Sequence, residues 1–129
     1  MGRTRRSAKQ AGASFERLMA DYFALALDDD RIDRRVKTGA KDRGDIAGLR
    51  MRGKRVVVEC KDYGGRHRLP EWLDEAETER GNDDAAYGVV AWKRRGTTDP
   101  AEQFVTMTAR TFAAIVAGGP GLLEEEEDD

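Results

Sequence analysis

The stretch VVVECK at residues 56–61 constrains the fold more than any other part of the chain. Consecutive valines are the composition of a strand buried on both faces, because a half-exposed strand alternates apolar with polar residues. Glu59 and Lys61 continue that run. An uncompensated carboxylate or ammonium in a protein interior costs roughly several kcal/mol, so each must have a partner. Side chains alternate along a strand, which places Val57, Glu59 and Lys61 on one face and Val56, Val58 and Cys60 on the other, core-facing one. Glu59 and Lys61 then point the same way, about 7 Å apart.

The rest of the chain supplies elements that can bury such a strand. Phe15, Leu18, Met19, Tyr22, Phe23 and Ala26 recur at helical spacing and predict a first helix over 13–27. RIDRRVK predicts a strand, TGAKDRG a flexible loop, and DIAGLRMRGKRVVVEC a hairpin with strands at 45–51 and 54–61 that turns near Arg52-Gly53. Leu69, Trp72, Leu73 and Ala76 mark a second helix, with Pro70 allowed in its first turn and the acidic residues between them on a solvated face. AYGVVAWK and QFVTMT predict two further strands, and ARTFAAIVAG a last helix that Gly118 can cap. The order is αβββαββα. With 129 residues, 39% of them apolar, one domain over 12–119 is expected, preceded by a basic flexible arm at 1–11 and followed by an acidic disordered tail at 120–129.

Charge and cysteine usage narrow the function classes. Residues 1–68 carry 18 Lys and Arg against 10 Asp and Glu, a net of +8, whereas 69–129 carry 5 against 15, a net of −10. A basic half of this size fits a polyanionic partner such as nucleic acid and, equally, a solvated arginine-rich surface. The single cysteine, Cys60, excludes an internal disulfide framework and a cysteine-rich zinc site. The longest apolar tract, FAAIVAGGPGLL, is short and interrupted by Gly and Pro, and no signal-peptide core follows the basic N-terminus, so a cytoplasmic protein is expected. His67 has no second ligand at metal-binding spacing, and Trp72 and Trp92 read as core residues.

Antiparallel pairing about a turn near residue 52 or 53 brings Asp45 beside residues 59–61. Two carboxylates and a lysine then converge at one strand end. Hard divalent cations such as Mg²⁺, with Mn²⁺ as a substitute, take carboxylate, carbonyl and water oxygens, so Asp45, Glu59 and the Cys60 backbone carbonyl would make an open metal site.

The combination of GDIAGL, a short hairpin and VVVECK resembles the PD-(D/E)xK nuclease superfamily, with Asp45 as its aspartate and Glu59-Cys60-Lys61 as its E-x-K. Gly44 stands where that motif usually has proline. GASFERLMADYF is similar to the first helix of archaeal-type Holliday junction resolvases, and the segments VKTGA, LPEWLDEAETERG and YGVVAWKRRG extend the likeness over nearly the whole domain, although the net acidity departs from that basic family. The resemblance implies an α/β, restriction-endonuclease-like core, a mixed five-stranded sheet flanked by helices. It implies Mg²⁺-dependent hydrolysis of DNA to 5′-phosphate products, with Glu16, Asp45, Glu59 and Lys61 catalytic. Glu16 would join the metal cluster directly or through water; on periodicity alone it flanks the apolar stripe and reads equally as a solvated helix residue.

Lys61 would orient the attacking water or help deprotonate it. Arg3, Arg5, Arg6, Lys37, Thr38, Lys41, Arg43, Arg66, Arg68, Lys93, Arg94 and Arg95 would grip backbone phosphates. Symmetric cutting of a four-way junction by a chain with one site calls for a homodimer. Another nuclease of the same superfamily, of restriction or end-processing type, and a non-catalytic DNA-binding module are the competing readings.

Overall fold

The computed structural model describes residues 4–37, 41–63 and 68–127. Helix α1 (Arg5–Ala26) begins where Thr4 caps it, its Oγ1 accepting from the Ser7 N–H at 3.0 Å. Helix therefore covers most of the segment expected to be a basic arm: with a cap in place, Ala8, Lys9, Gln10 and Ala11 are all good helix formers. Phe15, Met19 and Ala20 form its buried stripe.

Strand β1 (Asp33–Arg34) is shorter than RIDRRVK suggests, because it lies at the sheet edge and pairs with β2 (Ile46–Ala47) alone. The expected strand 45–51 is broken into β2 and β3 (Arg50–Met51), both antiparallel to β4 (Lys54–Lys61). Ile46 faces Val58, whereas Arg50 faces Arg55. Three residues, 47–49, thus oppose two, 56 and 57, and the extra residue is a bulge centred on Gly48. Gly48 has φ +88°, and a Cβ there would collide with the Arg31 backbone oxygen. The hairpin closes at Arg52-Gly53, both at positive φ as a type I′ turn requires.

Helix α2 (Leu69–Asn82) carries the chain back over the sheet to β5 (Tyr87–Trp92), which runs parallel to β4 over six paired positions. Every residue of β5 is buried, as its unbroken apolar run requires in a parallel central strand. Strand β6 (Phe104–Thr106) closes the other edge, antiparallel to β5. Helix α3 (Ala109–Ala117) is capped by Thr108 at its start and by left-handed Gly118 at its end. A further helix, α4 (Pro120–Glu127), replaces the start of the expected disordered tail; Pro120 suits a first helical turn, and Leu and Glu are strong helix formers.

The result is an α/β fold with a mixed six-stranded sheet in the order β1-β2-β4-β5-β6, with β3 pairing β4 off that path. Both faces of β4 and β5 are covered. Phe15, Met19, Ile32, Ile46, Val58, Cys60, Val89 and Ala91 form one core cluster on the α1 side. Trp72, Ala76, Val90 and Trp92 form a second on the α2 side. Among the described residues no helix is long and apolar enough to cross a membrane.

Candidate acidic centre

Just before the Ile46–Val58 pair the chain leaves the ladder, with the Asp45 N–H donating to the Val58 carbonyl at 2.9 Å, and the Asp45 side chain reaches the Glu59 carboxyl. Asp45 is buried, with Oδ2 accepting from the Cys60 N–H at 2.7 Å and Oδ1 3.1 Å from Lys37 Nζ. Gly44 precedes it at φ +96°, a backbone conformation closed to proline, which accounts for the departure from the usual motif.

Helix α2 runs antiparallel to β4 above this face. Four helical residues rise about 6 Å and two strand residues about 6.7 Å, so side chains at i and i+4 of the helix ride over those at j and j−2 of the strand. Glu75 accordingly meets Lys61, with Lys61 Nζ donating to Glu75 Oε2 at 2.6 Å, and Glu79 meets Glu59. The acidic residues of α2 are thus not all on a solvated face. Trp72, Ala76 and Glu79 lie at i, i+4 and i+7 on its buried stripe, and Glu79 is 4% exposed. That spacing was the signal in the sequence. An acid in an apolar helical stripe is a buried acid, and it marks Glu79 as part of the site.

Asp42, Glu59 and Glu79 each offer a carboxylate oxygen, and these atoms lie within 4.8 Å of one another. Glu59 is 5% exposed, and its Oε2 and that of Glu79 are buried without a hydrogen-bond partner. Burial pushes Glu59 far above the ordinary carboxylate range, and the neighbouring Asp45 and Glu79 add to the shift. Burial acts on Asp45 too, but hydrogen bonds from Glu59 and the Cys60 N–H, with the charge of Lys37, outweigh it and hold Asp45 below its usual value. Glu79 is raised to about 7, by burial first and then by Asp42, against the hydrogen bond with Glu59. Without a cation, Glu59 is the protonated member of the group. The donor set, all carboxylate oxygen, and two orphaned buried oxygens fit a hard divalent cation.

The other predicted site residues fall around this centre. Glu16 feels the Asp45 charge, which together with burial raises its pKa, but it is held by Arg34 Nη2 at 3.4 Å. It stands next to Asp45 and outside the carboxylate trio. Lys61 is 8% exposed. Burial works against its charge, yet Glu75 and Glu59 outweigh it and keep Lys61 an ammonium, suited to orienting an anion or water and not to taking a proton. Cys60 packs in the α1-side core, where burial pushes its thiol pKa up and leaves it inert.

Of the residues assigned to phosphate contact, Arg3, Thr38 and Arg66 lie outside the described residues, as does His67. Arg5 and Arg6 are exposed on the first turn of α1. Lys37, Lys41 and Arg43 are exposed beside the acids. Arg68 lies at the start of α2, 3.5 Å from Glu71. Lys93, Arg94 and Arg95 follow β5 at the same sheet end as Lys61, but Lys93 Nζ donates to the Arg94 and Thr97 carbonyls, and Arg94 lies over the Phe104 ring and 3.5 Å from Glu102. Arg35, Arg50 and Arg55, from the basic segments of the first half, line a shallow depression together with Arg43, Asn82, Asp83 and Asp84. Arg35 and Arg55 reach across to Asp83, and Lys61 to Glu75, so ion pairs between the two halves of the chain offset part of the charge asymmetry. Comparison of the chain with protein-family models, curated proteins and solved structures gives no match.

Proposed function

We propose that this protein is a divalent-metal-dependent endonuclease of the PD-(D/E)xK kind, acting in the cytoplasm on branched DNA, with the four-way junction as its substrate. The observation that carries this reading is the buried Asp45 carboxylate hydrogen-bonded to the Glu59 carboxyl, with Lys61 two residues further along the same face of a strand buried on both sides. Element order supports a restriction-endonuclease-like core: counting β2 and β3 as one bent strand gives αβββαββα followed by the further helix α4.

Asp45, Glu59 and the Cys60 carbonyl would hold Mg²⁺, or Mn²⁺ in its place, with Glu16 acting through water. Bound there, the cation would supply Lewis-acid polarisation of the scissile phosphate and a more acidic water. Lys61, kept as an ammonium by Glu75, would stabilise charge gathering on the phosphate and orient the attacking water. Arg43, Lys41, Lys37 and the exposed Arg50 would track the backbone without reading bases, which suits recognition by shape. Two protomers related by a two-fold axis would place two such sites for paired cuts.

The test is cleavage of a synthetic four-way junction beside linear duplex and flap DNA. Mg²⁺-dependent cutting of the junction is expected, stopped by chelation and reduced on the order of 10³-fold by Glu59→Gln, which corresponds to about 4 kcal/mol. Equal cutting of linear duplex would move the assignment to another member of the superfamily. Junction binding with no cleavage of any substrate would favour a non-catalytic DNA-binding module.

A further inference from the structure

We infer that Glu79 and Asp42 complete a divalent-cation site on Glu59, on the α2 side of β4, so that Glu59 is shared between this position and the Asp45 side. The inference rests on the metal part of the proposed function and is independent of the DNA substrate.

The geometry is close to that of a bound ion. The three carboxylate oxygens lie within 4.8 Å of one another. Adjacent ligands of one Mg²⁺ are about 3 Å apart and opposite ones about 4.2 Å, and those of the larger Ca²⁺ are more widely spaced, so rotation of the carboxylates within this span can bring all three onto a common ion.

Of the neighbouring cations, Lys37 pairs with Asp45, Lys61 with Glu75, Arg34 with Glu16, and Arg35 and Arg55 with Asp83, whereas Lys41 and Arg43 flank Asp42 in the chain and are exposed. The two orphaned oxygens belong to Glu59 and Glu79, side chains that are each more than nine-tenths buried. A buried acceptor without a donor is costly, and two from one cluster call for a ligand they can share.

The third ligand is held ready. Asp42 Oδ1 accepts from the Gly44 N–H at 3.0 Å, and the Asp42 carbonyl accepts from Asn82 Nδ2 at 2.8 Å, which ties this loop to the end of α2. Asp42 is exposed whereas Glu59 and Glu79 are buried, so the site is approached from the loop side, beside the arginine-lined depression. A cation there would sit where a phosphate oxygen guided by Arg43 could complete its coordination.

The experiment titrates Mn²⁺ into the full chain, without DNA, in mildly alkaline buffer, and follows binding by electron paramagnetic resonance. Variants are Glu79→Gln, Asp42→Asn and, as a charge-matched control on the solvated face of α2, Glu77→Gln, whose side chain pairs with Arg80. Each of the first two is expected to weaken Mn²⁺ or reduce its stoichiometry by about tenfold or more, with the control unchanged. Circular dichroism checks folding, and the exposed loop variant Asp42→Asn serves if Glu79→Gln does not fold. Wild-type affinity and stoichiometry in both folded variants would overturn the inference, as would a wild-type chain that binds no Mn²⁺. Mn²⁺ binding that depends on Glu79 in a protein that cuts no DNA would leave the site standing and remove the nuclease reading. Cleavage that survives Glu79→Gln with unchanged Mn²⁺ dependence would do the reverse.

Discussion

Toward α1, β4 presents Val58 and Cys60 to a cluster that includes Phe15, Met19 and Ile46; toward α2 it presents Glu59 and Lys61 to Glu79 and Glu75. Burial is alike on the two faces, with Val58 1% exposed and Glu59 5%. The α1 face is stabilised by removing apolar surface from water. The α2 face carries an ion pair from buried Lys61 to half-exposed Glu75 beside carboxyl groups crowded together, an arrangement that tends to cost stability unless something binds there. Toward its end the strand thus alternates apolar packing at Val58 and Cys60 with charge at Glu59 and Lys61, while Val57 adds a fully buried apolar side chain to the charged face.

The largest effect is expected where the two faces are kept in register. Gly48→Val would put a branched side chain at φ +88° against the Arg31 backbone, and straightening the bulge to relieve it would carry Asp45 out of line with Glu59. A loss of about 3 kcal/mol or more in urea unfolding is expected, with loss of cleavage in what remains folded. A variant as stable as the wild type would show that the bulge does not hold the register.

A paired substitution sharpens the contrast itself. Val58→Ala should cost about 2 kcal/mol, a fall of roughly 6–10 °C in thermal midpoint, while leaving cleavage per folded molecule nearly intact. Glu59→Gln, measured without divalent cations, should leave the midpoint unchanged or raise it, because an amide can still donate to Asp45 and no longer competes for a proton. If Glu59→Gln destabilised the protein as much as Val58→Ala, the carboxyl would be a structural element and the division by face would fail.

The smallest effect is a dependence on pH. Glu79, raised to about 7, binds its proton more tightly in the folded than in the unfolded chain. Its contribution to stability is therefore complete below the ordinary carboxylate pKa and is lost as pH rises through about 7. Without divalent cations the protein should lose on the order of 1 kcal/mol between about pH 5 and 8, less than the shift alone suggests because Glu59, Asp45 and Asp42 titrate with it. Glu79→Gln should flatten that slope, and a slope unchanged in the variant would assign it to other groups.

The hydrophobic patterns of Phe15 to Ala26, of VVV and of YGVVAW made the helix, the central strands and their order legible, because periodicity and β-branching are local properties. Glu59 and Lys61 were legible for the same reason: charges that follow a valine run must face something. What the sequence did not disclose was their partners. Glu75 and Glu79 read as solvated because charge usually lies outside, and only the antiparallel run of α2 over β4, about 6 Å of helix against about 6.7 Å of strand, sets them over Lys61 and Glu59. Asp45 reaches both the Glu59 carboxyl and the Cys60 N–H because the chain leaves the ladder just before Ile46, and the bulge at Gly48 packs on the Arg31 backbone from another part of the chain. The sequence determined that this strand would carry a buried acid and a buried base; tertiary packing decided which acids gather around them, because register and helix placement are set by contacts between segments far apart in the chain.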